Sequence, residues 1–320
     1  MSARSLQQWL AVSIVVLISG CASEPRNMLS DLEQQRGDIE LIQTPFYPQV
    51  TDQCGPSALA AVLNYSGIPV TADALKAHIY IPGRQGSLQI ELLASTRGYG
   101  RIPYLIDTNI SGLLGEVRAG RPVLVLQNLG SKRTPVWHYA VVVGYLAKEK
   151  QFVLRSGDRK RHIMSVSTFA RTWQRAEYWG ILVLEPGELP ASPDADKYVR
   201  SVAAVEAIGD TDSAVLGYAA ATRRWPEHSL AWLGLGNAYY AQGDLDSAES
   251  AYRMLLSTDA DHLVGLNNLS QVQLDRGCIE DATATLDTAL STADKDTTIY
   301  RIIQEARRDV GLRDPSAACL

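Results

Sequence analysis

Gly209, Gly243 and Gly277 fall at an interval of 34 residues, and their surroundings keep the same step. Ala214, Ala248 and Ala282 follow the glycines by five positions; Tyr218, Tyr252 and Leu286 follow by nine. Self-similarity at this period means stacked supersecondary units, because one unit cannot bury its apolar face alone. The small residues let two helices pack closely, and the larger ones fill the space between units. About three units suffice to bury a continuous core. The stretch from Tyr300 to Val310 then reads as a capping helix.

Trp232, Leu235, Gly236 and Tyr239 precede the middle glycine, and Pro226 closes the first unit. This spacing resembles the tetratricopeptide repeat. Residues 195–312 are therefore expected to form an all-α repeat domain with its capping helix. The resemblance implies a groove for a peptide or partner protein, with Arg223, Asn237, Tyr240, Asn267 and Asn268 as candidates to line it. The alternative is a structural appendage that stabilises or dimerises the rest. Cys278 and Cys319 are placed to pair outside the cytoplasm if the tail folds back, although their spacing gives no geometric support.

The 320 residues suggest two modest domains. An apolar fraction of 46% is enough for an ordinary core. The formal charge of -5 sets nucleic-acid binding aside. Four cysteines are too few for a disulfide framework.

The N-terminus has Arg4, a polar spacer and an apolar stretch from Trp9 through Ile18. That is short of the roughly 20 residues a bilayer span needs, and it fits the h-region of a secretory signal. It ends Ser19-Gly20-Cys21, which resembles the bacterial lipobox, where the cysteine becomes the lipidated first residue. On this reading residues 1–20 are a lipoprotein signal peptide, Cys21 is the lipidation site, and residues 21–38 are a tether. Ala22 after the cysteine favours, by resemblance, the outer membrane facing the periplasm. An ordinary signal peptide or anchor, with Cys21 incidental, is the alternative.

Residues 39–190 alternate helical and strand patterns. Cys54 opens Cys54-Gly55-Pro56-Ser57-Ala58-Leu59-Ala60-Ala61-Val62-Leu63, with Leu59, Val62 and Leu63 at helical spacing. Pro56 suits a first turn and Gly67 a helix end. Cys54 is thus expected at a helix N-terminus, where dipole and free N–H groups favour a thiolate. The other reading is a structural cysteine. Of the five histidines, His138 alone opens a β-branched run, His138-Tyr139-Ala140-Val141-Val142-Val143-Gly144-Tyr145, which reads as a central strand.

Pro45 through Ala60 resembles the nucleophile motif of the bacteriocin-processing, double-glycine-leader cysteine peptidases, and Trp137 through Gly144 resembles their histidine strand. The resemblance implies an α+β papain-like cysteine peptidase domain over residues 39–190, ahead of the repeats. It implies hydrolysis of peptide bonds through an acyl-enzyme, with Cys54 as nucleophile and His138 as general base, then acid. Gln49 would donate to the oxyanion beside the backbone N–H of Cys54, with Gln53 as its rival.

The third member departs from that family, which places an aspartate followed by proline after the histidine strand. Here the strand ends Leu154-Arg155-Ser156-Gly157-Asp158. Ser156 and Asp158 share a face by period-two alternation, so both are candidates. A carboxylate stabilises imidazolium better than a hydroxyl, so Asp158 is the expected third catalytic residue.

The expectation is therefore a cysteine peptidase of the cell envelope, held to the membrane by a lipid anchor, with a peptide or protein substrate and a protein partner on the repeats. No metal-ligand cluster or phosphate loop stands out, and no cofactor is expected. A transglutaminase-like acyltransferase or an amidase on the same fold, and a non-catalytic peptide-binding adaptor, are the other classes.

Overall fold

The computed structural model describes residues 37–48, 53–84, 86–311 and 319. The signal peptide, Cys21, tether residues 21–36 and Gln49 lie outside the described residues. Among the described residues, no helix is long and apolar enough to cross a membrane.

The chain runs β1 (Ile39–Glu40), α1 (Cys54–Tyr65), α2 (Ala72–Ile79), α3 (Gln89–Gly98), β2 (Ile102–Leu105), α4 (Ile110–Arg118), β3 (Val123–Asn128), β4 (Trp137–Leu146), β5 (Gln151–Ser156), β6 (Arg159–Ser165), α5 (Val166–Gln174) and β7 (Gly180–Leu184). Seven helices follow: α6 (Ala195–Glu206), α7 (Thr211–Arg224), α8 (Ser229–Gln242), α9 (Leu245–Thr258), α10 (Leu263–Asp275), α11 (Ile279–Thr292) and α12 (Thr298–Val310). The fold is an α+β sheet domain followed by an all-α repeat region. The described residues form two compact units, one from those up to 88 with 105–182, the other from 89–104 with those from 183 onward.

The sheet has the order β2-β7-β3-β4-β5-β6, and β1 pairs with β4 off that path. In the first unit α1 packs on β4, and Gly55 through Leu63 are buried on all sides of the helix. Val123 to Val125, Ala140 to Val143 and Phe152 to Leu154 are completely buried. A run of touching rings, Tyr145, Phe152, Phe169, Trp173 and Tyr178, extends this core onto α5. The pairing of β4 with β5 slips between Val142 and Gly144. Gly144 is required there, because a Cβ would come within 2.5 Å of the Ile39 carbonyl oxygen. β6 is unexpected from the sequence, where Arg159-Lys160-Arg161 reads only as a basic run. Exposed cations suit an edge strand, since they oppose pairing with another chain.

The repeat unit shows why its period exists. Gly209, Gly243 and Gly277 all turn with positive φ, at 87°, 78° and 80°. Asp210 and Asp244 follow and cap α7 and α9, accepting from Ser213 N and Ser247 N at 3.1 Å. His228 and His262, also 34 apart, cap α8 and α10 through Nδ1, which accepts from Ala231 N and Gly265 N. Gly234 and Gly236 face the rings of Tyr218 and Tyr252, leaving no room for a Cβ. Within this unit Tyr104 Oη accepts from Asp194 N at 3.2 Å. Ile303 and Val310 of α12 pack on Leu266, Leu286 and Ala289, as a capping helix should. Cys278 and Cys319 form a disulfide.

The glycines differ in cause, and substitution separates the causes. Gly243→Ala meets only the left-handed backbone and should cost about 1–2 kcal/mol. Gly236→Ala must displace the Tyr252 ring and should cost about 1–3 kcal/mol by overpacking. Denaturant unfolding followed by circular dichroism measures both, and adding Tyr252→Phe should not rescue Gly236→Ala, because the obstacle is the ring.

Candidate functional site

Cys54 begins α1, half-buried, and takes part in no disulfide. Its position follows from the burial of the helix behind it. Gln53 precedes it as the N-cap, and its side chain makes no capping bond. The next residue must be small: a Cβ on Gly55 would lie 2.8 Å from Ser87 Cβ and Oγ and 3.5 Å from Tyr139 Cδ2. Ser87 and Tyr139 therefore close over the start of α1, and Tyr139 Oη donates to the Ser87 carbonyl at 3.2 Å. The Tyr139 phenol is pushed far above its ordinary range, first by burial and second by its electrostatic interaction with the nearby Cys54.

His138 precedes Tyr139 on β4, half-buried between exposed Trp137 and the closed core. Its cross-strand partner on β3 is Gln127. His138 Nε2 and Ser156 Oγ share a hydrogen bond of 2.8 Å whose direction follows the tautomer. Nδ1 is left as the nitrogen that can exchange a proton with a thiol. Burial first, and the neighbouring His162 second, hold the His138 pKa below its ordinary value, so its neutral form is favoured.

The expectation that Asp158 orients His138 is not met. β5 ends at Ser156, and Gly157, with a φ of 62°, turns the chain into β6. The Asp158 side chain is 90% exposed and lies 3.8 Å from Arg159 Nε. Its charge acts on His162, whose pKa is lowered by burial and by Arg159 and raised by Asp158. The structure thus brings Ser156 to His138, and it brings Cys54 to the residue beside His138. Gln49 lies outside the described residues.

Ser87 and Gln127 had no sequence signal, whereas Ser57 lies in the nucleophile motif itself. Ser87 Oγ, Ser57 Oγ and Gln127 Oε1 are buried without a hydrogen-bond partner among the described residues. Gln127 Nε2 donates to Thr172 Oγ1 at 2.7 Å. Spacing in sequence cannot reveal Ser87 and Gln127, because they meet the site only through tertiary approach. Among the repeat residues, Asn237 Oδ1 accepts from Tyr252 Oη at 2.7 Å and from Asn268 Nδ2 at 2.9 Å. Tyr240 Oη donates to Asp275 at 2.7 Å. Among the described residues only Cys278, Asp281 and Cys319 cluster as metal-type donors, and the disulfide already engages both sulfurs.

The geometry predicts an order of effects on alkylation of Cys54 by iodoacetamide. Ser156→Ala should slow it, and Asp158→Asn should leave it within about two-fold, since surface charges contribute little. Ser156→Asp should raise the His138 pKa, because a carboxylate favours imidazolium. Imidazole proton shifts followed against pH measure this. An unchanged midpoint would show that position 156 does not govern the ring.

Residues 41–181 match the Peptidase C39 like family, and residues 204–262 match the tetratricopeptide repeat. A search of curated proteins finds no match. Among solved structures, a C39-like peptidase from Bacillus anthracis is 18% identical, with a TM-score of 0.40 over 47% of this chain and 98% of its own. The type III secretion translocator chaperone SycD of Yersinia enterocolitica is 18% identical, with a TM-score of 0.36 over 38% of this chain and 88% of its own. The first tetratricopeptide domain of Spaghetti, bound to an HSP90 peptide, is 13% identical, with a TM-score of 0.34 over 37% of this chain and 90% of its own. Residues 41–181 are thus similar to the C39-like peptidases, and the region after them to tetratricopeptide repeats.

Proposed function

We propose that the chain is a cysteine peptidase that cleaves peptide bonds through a Cys54 acyl-enzyme. The observations carrying this reading are a half-buried thiol at the N-terminus of the helix that packs on β4 and an imidazole held by Ser156 at the start of that strand. The thiolate attacks the scissile carbonyl and forms a tetrahedral oxyanion. The backbone N–H of Cys54 and the Gln49 amide are the proposed donors to it. Collapse breaks the C–N bond, and His138 delivers the proton taken from Cys54 to the leaving amine. Water then attacks the thioester with His138 as base, releasing the acid and restoring the thiol.

Residues that act as one unit lose their effects together. Cys54→Ala, His138→Ala and the double variant should reduce peptide turnover to the same floor. Gln49→Ala should slow acylation by roughly 10² to 10³-fold, as loss of one oxyanion donor does. Additive losses at Cys54 and His138, or retention of the rate in Gln49→Ala with its loss in Gln53→Ala, would overturn these assignments.

The neutral hydroxyl at His138, where a carboxylate was expected, favours a second reading. On that reading the domain binds peptides with little turnover. Active-site titration with a thiol-directed peptidase probe decides between them: stoichiometric labelling of Cys54 supports the enzyme, and no labelling supports the binder.

The repeats are proposed to hold a partner or protein substrate. The envelope location is proposed from Ser19-Gly20-Cys21, with Cys21 acylated and facing the periplasm from the outer membrane. The mass of the mature N-terminus checks it. Lipid on Cys21 and partition into membranes are expected, and Cys21→Ser should release the protein or block its processing; an unmodified, soluble Cys21 contradicts the proposal.

A further inference from the structure

The turn between β3 and β4 is built unlike a solvated loop. Asn128 Oδ1 accepts from Gly130 N and Val136 N, both at 3.0 Å, and Asn128 Nδ2 donates to the Ser131 carbonyl at 3.2 Å. Ser131 Oγ accepts from Thr134 N at 3.0 Å and from Arg133 N at 3.2 Å. Arg175 reaches over from the end of α5 and donates to the Asn128 and Gly130 carbonyls. A Cβ on Gly130 would lie 2.9 Å from Val136 N, so the loop closes on itself without a gap. Its polar groups are turned inward and its shape is fixed.

What this fixed loop shows to solvent is apolar and cationic. Leu129, Val136 and Trp137 are 45%, 55% and 54% exposed. Lys132 and Arg133 stand at the tip, exposed and with no acidic partner among the described residues. Leu129 N donates to the Val136 carbonyl at 2.8 Å, continuing the ladder in which Gln127 faces His138. By period-two alternation Leu129 and Val136 share the face of His138, and Trp137 shares the face of Tyr139, which packs against the start of α1. Apolar side chains thus flank the strand start on both faces, within three residues of the imidazole along β4.

We propose that the β3–β4 tip is a docking ridge for the substrate peptide, seating a large apolar side chain on Leu129, Val136 and Trp137 beside the scissile bond and acidic side chains on Lys132 and Arg133. The proposal rests on the peptidase reading and adds the substrate class. The occupant follows from charge complementarity and from place: two cations without an acidic partner among the described residues call for carboxylates, and the apolar side chains adjoin the residue that would handle the proton. Because the loop is already rigid, little ordering entropy opposes binding.

The test uses the full chain carrying Cys54→Ala, so that binding is read whether or not turnover occurs. Three fluorescent ten-residue peptides are compared by anisotropy. The first has a central leucine with two glutamates on one side. The second replaces the glutamates with lysines, and the third replaces the leucine with serine. The glutamate–leucine peptide should bind about three- to ten-fold tighter than the lysine peptide at low salt, and the margin should shrink at high salt. Lys132→Glu with Arg133→Glu should invert that preference. Val136→Ser with Trp137→Ser should remove the leucine preference and keep the charge preference. Circular dichroism melting confirms that the variants are folded, and Lys132→Gln with Arg133→Gln serves as the milder pair. Equal affinities for all peptides, or a charge preference that survives Lys132→Glu with Arg133→Glu, would overturn the ridge. So would a dimer in sedimentation that the tip changes dissolve while peptide binding stays, because the ridge would then seat a second copy. Intact preferences together with a wild-type Cys54 that no probe labels would leave the ridge standing and remove the peptidase reading.

Discussion

β4 is hydrogen-bonded along both edges, to β3 and then β1 on one side and to β5 on the other, and the chemistry of the first unit is referenced to it. At its start, where His138 sits, β4 is paired along β3 alone, and the pairing with β5 begins at Val141, so the Ser156 bond supplies the hold from the other side. α1 packs on the same strand, and burial of Gly55 through Leu63 fixes where the helix begins and so where Cys54 stands. The segment after β1 is held in the same frame. Arg155 of β5 is buried, and it donates to the carbonyls of Thr44 at 3.2 Å and Lys160 at 2.7 Å, with Glu40 at 3.7 Å. A buried guanidinium is costly unless its donors are filled, and here carbonyls and a carboxylate fill them. Arg155 adjoins Ser156 in sequence, so the bond to His138 comes from the residue next to this buried anchor.

A hydroxyl in that place changes the electrostatics of the site. Ser156 both donates and accepts, and so it orients the ring in either tautomer. It adds no charge, so nothing offsets the burial that disfavours imidazolium at His138. Stabilisation of a thiolate then falls more heavily on the helix N-terminus than on an ion pair. On the proposed peptidase reading the consequence is a shift in mechanism: His138 would act chiefly as a base at the moment of attack, with less of the thiol ionised beforehand. His162 presses the same way, since its proximity further disfavours a charged His138.

The features legible in the sequence were those set by local pattern. A β-branched run gave the strand at His138, and apolar spacing with Pro56 gave the helix at Cys54. The choice of Asp158 failed for a geometric reason. Alternation along a strand holds only while the strand continues, and β5 stops at Ser156, where Gly157 re-aims the chain. The register slip between Val142 and Gly144 also shifts the strand against its partner, which counting from a turn cannot foresee. The roles of His228 and His262 as helix caps were invisible because a histidine is not a usual capping residue. Ser87 and Gln127 reach the site from distant segments, and no local pattern carries that information.

The repeats follow a different logic, in which each unit solves the same local problems. A glycine supplies the left-handed turn, and an aspartate then caps the next helix. The third unit breaks the series, since Cys278 stands where Asp210 and Asp244 stand in the others, and its side chain makes no capping bond. A lost cap costs about 1 kcal/mol. The bond from Cys278 to Cys319 constrains the unfolded chain and typically contributes about 2–4 kcal/mol, more than the cap it displaces. The terminal repeat has thereby exchanged a contact that works in any compartment for one that persists only where thiols are oxidised. That exchange fits a protein working outside the cytoplasm, as the proposed envelope location requires.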